Sequence, residues 1–276
     1  MNIQWYPGHM TKTRRRMETD IAQVDALCEL VDARCVRSSR NPDIDALCGD
    51  KPRLLLLGRA DQADPAVTAM WKGVYPDLVE IVATSPKAGT VLLPALRRLL
   101  KEKLDRYAEK GQAGRSLRIM IAGVPNVGKS TLINSIIGRS AAKAEDRPGV
   151  TRGRQWFSMG SGLLLLDTPG MLWPKFDDEQ TGLHLAFTGA VRDEVVDVEE
   201  LSLHLMNTLA GSYPESLKAR YGIDTDGTGL ELLERAARRR GFLISGGEVD
   251  YDRMARTLLD EFRGGKLGRI SLERPE

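Results

Sequence analysis

The chain has 276 residues, 42% of them hydrophobic and 28% charged, enough apolar material for one large domain or a medium and a small one. With 40 Lys+Arg against 38 Asp+Glu its formal charge is +2, which excludes a chain-wide electrostatic binder of polyanions but not a local basic face. Cys28, Cys35 and Cys48 cannot build a disulfide framework, and no run approaches the roughly 18 apolar residues of a membrane span, so a cytoplasmic protein with reduced thiols is expected.

In chain order, the first predicted element is a helix over Thr11 to Val24 carrying the basic stripe Lys12, Arg14, Arg15 and Arg16. Strands follow at Ala26 to Val31 and at Arg53 to Leu57, the second running into Gly58-Arg59-Ala60-Asp61. In guanine-specific P-loop proteins an N-K-x-D tetrapeptide after a strand reads the base. Asp61 keeps the carboxylate that accepts from ring N1–H and the exocyclic amine, bonds worth about 1.5–3 kcal/mol each. Gly58 stands in place of the asparagine, and Arg59 in place of a lysine whose stem packs over the ring, where an arginine can also stack. Guanine preference with weakened affinity is expected. A helix at Asp64 to Val74 and a strand at Val79 to Ala83 lead to Thr84-Ser85-Pro86-Lys87-Ala88-Gly89. This segment resembles the S-A-K loop whose backbone touches the guanine carbonyl, with Thr84 and Ser85 as candidate contacts.

A helix over Thr90 to Glu109 and a strand at Leu117 to Ala122 precede Gly123-Val124-Pro125-Asn126-Val127-Gly128-Lys129-Ser130, a full match to G-x-x-x-x-G-K-[ST]. A helix at Lys129 to Ile137 follows. Successive N–H groups of such a loop point at phosphate oxygens, and the helix N-terminus adds a favourable dipole. Lys129 is expected to reach the β and γ phosphates and Ser130 to ligate Mg²⁺; Pro125, Asn126, Val127, Gly128 and Thr131 complete the candidate contacts. Thr151, in Arg147-Pro148-Gly149-Val150-Thr151-Arg152, is expected to close over Mg²⁺ and the γ-phosphate.

Strands at Gln155 to Met159 and Leu163 to Leu166 bring the chain to Asp167-Thr168-Pro169-Gly170. A carboxylate ending a buried strand is expensive unless paired or facing a metal, which makes Asp167 an outer-shell partner of Mg²⁺ and Gly170 N–H a donor to the γ-phosphate. Ras-like GTPases orient the attacking water with a glutamine just beyond this motif; Met171-Leu172-Trp173 offer none, so slow intrinsic hydrolysis is expected. Strands alternating with helices imply a mostly parallel sheet with helices on both faces. From Asp177 the pattern is helical. The expected division is a GTPase domain at 1–176 and a small all-helical domain at 177–276.

In ordinary small GTPases the P-loop comes first and the base-reading loops last. Here Gly58 to Asp61 and Thr84 to Gly89 precede Gly123, and Asp167 to Gly170 comes last. A sheet needs its strands in spatial order and not in chain order, so the expected fold is an α/β, circularly permuted P-loop GTPase domain.

These motifs, together with Gln4-Trp5-Tyr6-Pro7-Gly8-His9-Met10, Val31-Asp32-Ala33-Arg34, Ser38-Ser39-Arg40-Asn41-Pro42, Trp173-Pro174-Lys175-Phe176 and Ser245-Gly246-Gly247, resemble the ribosome biogenesis GTPase A family, the YlqF/YawG group of circularly permuted GTPases. The resemblance spans nearly the whole chain. It implies a GTPase that binds the large (50S) ribosomal subunit, its RNA and proteins, late in assembly and leaves after hydrolysis. It also implies a catalytic role for His9 and, through potassium-stimulated relatives, a K⁺ ligand at Asn126. A monomer without membrane contact is expected. Arg235, Arg238, Arg239, Arg240, Arg253, Arg256, Arg263, Lys266 and Arg269 are candidate RNA contacts, although interleaved acids such as Glu231 and Glu261 equally fit a solvated face. The alternative function, kept open by Gly58-Arg59, is an RNA-binding assembly placeholder with a weakened, non-hydrolysing nucleotide site.

Overall fold

The computed structural model describes residues 1, 3, 8–85, 87–112, 115–137, 156–160, 162–176 and 178–275, without the His9 side chain. Thr151 and its loop, Pro86, and the segment Gln4 to Pro7 lie outside the described residues.

Chain order begins with α1 (Gly8–Ile21), β1 (Ala26–Asp32), α2 (Val36–Ser39), α3 (Pro42–Cys48), β2 (Arg53–Gly58), α4 (Pro65–Val74) and β3 (Val79–Glu80). It continues through α5 (Ala88–Leu99), α6 (Lys101–Glu109), β4 (Leu117–Ala122), α7 (Lys129–Ile137), β5 (Trp156–Gly160) and β6 (Leu163–Asp167). The remainder is helical: α8 (Glu179–Phe187), α9 (Val198–Ser212), α10 (Pro214–Tyr221), α11 (Gly229–Arg240) and α12 (Tyr251–Arg263).

The strands form one sheet in the order β3-β2-β1-β4-β6-β5, parallel throughout except for the β5–β6 pair. Every residue of β1 is buried, as expected of a strand covered on both faces. Alternate side chains go to opposite cores: Ala26, Cys28 and Leu30 join α5 and α7, while Leu27 meets Met17 and Ile21 of α1. The first of these cores runs on into Leu185, Leu205, Leu258 and Phe262 of the C-terminal helices. The register pairs Asp32 with Gly58 and Ile121 with Asp167, so the ends of β1, β2, β4 and β6 lie at one edge. In open α/β sheets that carboxyl edge is where ligands bind.

Three departures from the predicted elements have local causes. α1 ends at Ile21 because the chain turns there, with Gln23 N–H donating to Asp20 O at 3.0 Å; Val24 is buried by that turn and not by a helical face. The segment predicted as one helix over Thr90 to Glu109 is two, α5 and α6, broken at the buried Leu100 (φ −102°, ψ 11°) while the apolar spacing carries on across the break. α3, which the apolar pattern misses, starts at Asn41, whose side chain caps Asp43 N–H ahead of Pro42 at the first helical position.

Candidate nucleotide-binding site

The loop between β4 and α7 is shaped by backbone that few residues tolerate. A Cβ at Gly123 would lie 2.3 Å from Leu30 O, so no side chain fits, and Gly128 (φ +102°) and Asn126 (φ +57°) take left-handed conformations. Lys129 is 7% exposed and donates to Gly123 O at 3.1 Å and Val124 O at 2.8 Å. Burial pulls its ammonium down to about 8, against the opposing pull of Asp167.

Across a cleft of about 730 Å³ stands the end of β6. Asp167 Oδ1 is buried and accepts no hydrogen bond among the described residues, and burial raises its carboxyl above the usual range. A carboxylate with an orphaned oxygen, on the same cleft as Ser130, fits a hard, oxygen-seeking cation such as Mg²⁺. Gly170 lies so close to the loop that a Cβ would meet Pro125 Cα and N at 2.7 Å. The segment beyond it is pinned: Met171 N–H donates to Gly123 O at 3.2 Å, and Asn41 Nδ2 donates to Met171 O at 3.0 Å. Met171, Leu172 and Trp173 are all buried.

A second hollow, of about 330 Å³, lies beyond the ends of β2 and β3 and is lined by Ala60, Asp61, Ser85, Lys87, Ala88 and Arg269 among others. Asp61 is exposed there. Ser85 Oγ accepts from Lys87 N–H at 3.2 Å, closing the turn into α5. Arg59, itself left-handed (φ +55°), lines the first cleft. It donates to Arg263 O at 2.8 Å and to Asn126 O at 3.3 Å, and lies 3.7 Å from Asp32.

The cleft thus gathers Arg59, Pro125, Asn126, Gly128, Lys129, Ser130, Thr131, Asp167 and Gly170, and the second hollow gathers Ala60, Asp61 and Ser85. Gly58, Thr84 and Val127 are not among the lining residues. Val127 is buried in the core, and a Cβ at Gly58 would press on Leu30 Cδ1 at 3.0 Å and Val31 O at 3.3 Å. Thr151 and the His9 side chain lie outside the described residues. Two wall residues read in sequence as parts of basic RNA stripes are Arg16, on the cleft, and Arg269, on the second hollow. No spacing rule marks them, because each reaches the site from a distant part of the chain.

A family model described as "50S ribosome-binding GTPase" matches residues 118–226. Ribosome biogenesis GTPase A of Bacillus licheniformis is 44% identical over 281 aligned positions, covering 100% of this chain and 99% of that protein. The chain belongs to the ribosome biogenesis GTPase A family. The Thermotoga maritima member is 32% identical over 99% of this chain and 95% of its own length. Among solved structures, GDP-bound TM YlqF superposes with a TM-score of 0.70 at 28% identity, covering 95% of this chain and 99% of that one. The GNP-bound YlqF from T. maritima gives 0.68, covering 96% and 99%. The circularly permuted fold expected from motif order is therefore that of ribosome biogenesis GTPase A, and the family carries a GTPase role in ribosome biogenesis. Among the described residues no helix is long and apolar enough to cross a membrane.

Proposed function

We propose that this chain binds GTP and GDP, hydrolyses GTP, and acts late in assembly of the large ribosomal subunit by contacting its RNA. The observation that carries this reading is the shared carboxyl edge of the sheet, where the Lys129 loop, the Asp167 strand end and the Asp61 hollow meet although they are scattered along the chain.

In this reading residues 1–176 form the GTPase unit and 177–276 the ribosome-contacting unit. Asp61 accepts from N1–H and the exocyclic amine of guanine. Lys129 exchanges its two carbonyl partners for β and γ phosphate oxygens, and Gly170 N–H donates to the γ-phosphate. Ser130 and Thr151 would hold Mg²⁺, with Asp167 as an outer-shell partner, and the ion would supply positive charge against the charge growing on the phosphates. The Asn126 amide nitrogen is held by Gly189 O at 2.6 Å, which leaves its Oδ1 as the end for K⁺.

The buried Met171, Leu172 and Trp173 hold no group that orients water, so hydrolysis is slow until the ribosome brings His9, on the first turn of α1, into play as the polarising group. His9→Ala is expected to lower subunit-stimulated turnover about a hundredfold with GTP affinity unchanged, and unaffected stimulated turnover would remove His9 from the mechanism.

Proton linkage gives a further test. Phosphates hold Lys129 charged, whereas in the free protein it loses its proton around pH 8, so binding takes up a proton above that pH. GDP affinity is expected to fall about tenfold between pH 7 and pH 9 in equilibrium titrations, and a flat profile contradicts the assignment.

RNA contact is supported by exposed Lys12 and Arg15 on α1 and by Arg235, Arg238 and Arg239, which line a surface hollow on α11. Several arginines of the C-terminal stripe also have intramolecular partners: Arg235 donates to Asp224 O at 3.0 Å, Arg238 pairs with Glu234 at 2.8 Å, Arg240 with Glu261 at 2.9 Å and Arg263 with Asp193 at 2.7 Å.

A further inference from the structure

The loop 58–64 that carries Asp61 lacks the asparagine that ties such loops in N-K-x-D proteins, yet it is held firmly from another direction. Beyond α12 the chain returns across the sheet edge. Arg269 Nε donates to Ala63 O at 2.9 Å and Arg269 Nη2 to Ala60 O at 3.2 Å. The next residue, Ile270, donates its N–H to Gln62 O at 2.9 Å. Ser271 Oγ then accepts from Asp64 N–H at 3.1 Å. The backbone on both sides of Asp61 is therefore fixed by one short stretch of tail.

That tail is itself anchored. Tyr213 OH donates to Ser271 O at 3.1 Å, Leu272 N–H donates to Arg34 O at 2.6 Å, and the Glu273 carboxylate accepts from Arg37 N–H at 2.7 Å and Ser38 N–H at 3.0 Å. His184 Nδ1 lies 3.0 Å from the same carboxylate, in a buried setting. Arg269 also lines the hollow that Asp61 lines, so the residue that braces the loop shares a wall with the base-selecting carboxylate. Forked donors of this kind suit the task, because a planar guanidinium fixes two acceptors relative to each other where an ammonium holds them loosely.

We infer that Arg269 is a specificity-determining positioning residue, which takes over from the missing asparagine at Gly58 by fixing the Ala60 and Ala63 carbonyls so that the Asp61 carboxylate meets guanine squarely. The inference rests on the reading of Asp61 as the base-selecting group. Its signature is a loss of discrimination and not merely of affinity, since a displaced carboxylate surrenders its bond to the exocyclic amine first.

The test is equilibrium titration of the full chain and its variants with GDP, IDP and ADP. IDP lacks only the exocyclic amine. Wild type is expected to prefer GDP to IDP by about tenfold or more, the value of one charge-assisted hydrogen bond. In Arg269→Ala the GDP:IDP ratio is expected to fall about tenfold while IDP affinity changes by less than about threefold. Equal weakening of GDP and IDP, or an unchanged ratio, overturns the role of Arg269. Should Arg269→Ala fail to fold, Arg269→Lys carries the test: it keeps the charge but not the fork, and its ratio is expected to fall about threefold, an unchanged ratio overturning the inference. A wild type that holds GDP and ADP equally contradicts the guanine assignment of Asp61 itself, and so is distinct from a discriminating wild type with an indifferent Arg269.

Discussion

Asp61→Ala is expected to weaken GDP binding about a hundredfold and to leave ADP binding unchanged. The carboxylate is exposed at the mouth of the second hollow, so its removal leaves no buried donor unpaired and folding stability should move by less than about 0.5 kcal/mol. What is lost is a pair of charge-assisted hydrogen bonds to groups that guanine has and adenine lacks. At about 1.5 kcal/mol each these sum to about 3 kcal/mol, or two decades in affinity. Titration with both nucleotides checks this, and an equal loss for GDP and ADP would contradict it.

Lys129→Met should give the opposite fingerprint. Binding of GTP, GDP and IDP is expected to fall together by about a hundredfold or more, because the ammonium meets phosphates and is blind to the base. The effect on folding is expected to be small. The variant loses hydrogen bonds to Gly123 O and Val124 O, but it also removes an ammonium whose burial already drags it down to about 8, and methionine fills a similar stem. These changes are expected to offset to within about 1 kcal/mol, because the relieved desolvation of the buried ammonium opposes the loss of its hydrogen bonds. A thermal melt and a nucleotide titration on the same sample decide it. Retained GDP affinity contradicts the phosphate role; a variant that unfolds contradicts the balance.

The parts of the site that sit on continuous local patterns are legible in the amino-acid sequence itself. The β4 strand, the glycine-rich loop and α7 coincide with their predicted bounds because apolar run, glycines and helix follow one another without a gap. Motif order alone points to the permuted sheet, since strand position depends on pairing and not on sequence distance. What the sequence hides depends on long-range contact. Leu100 breaks a helix whose apolar period continues across it. Arg16 and Arg269 look in sequence like members of solvated basic stripes, and only the return of α1 and of the tail to the sheet edge makes them walls of the site. Arg240 and Arg263 belong to the same stripes, yet their guanidinium groups are engaged by Glu261 and Asp193. A count of arginines on a helix face therefore overstates the surface offered to RNA.

The most direct measurement is multiple-turnover GTP hydrolysis by the full chain, alone and with purified large ribosomal subunits, with ATP as the control substrate. Slow turnover alone is expected, with stimulation by about a hundredfold or more on adding subunits and no comparable response with ATP. GTP turnover that is the same with and without subunits would contradict it and favour a placeholder that binds RNA without hydrolysing nucleotide.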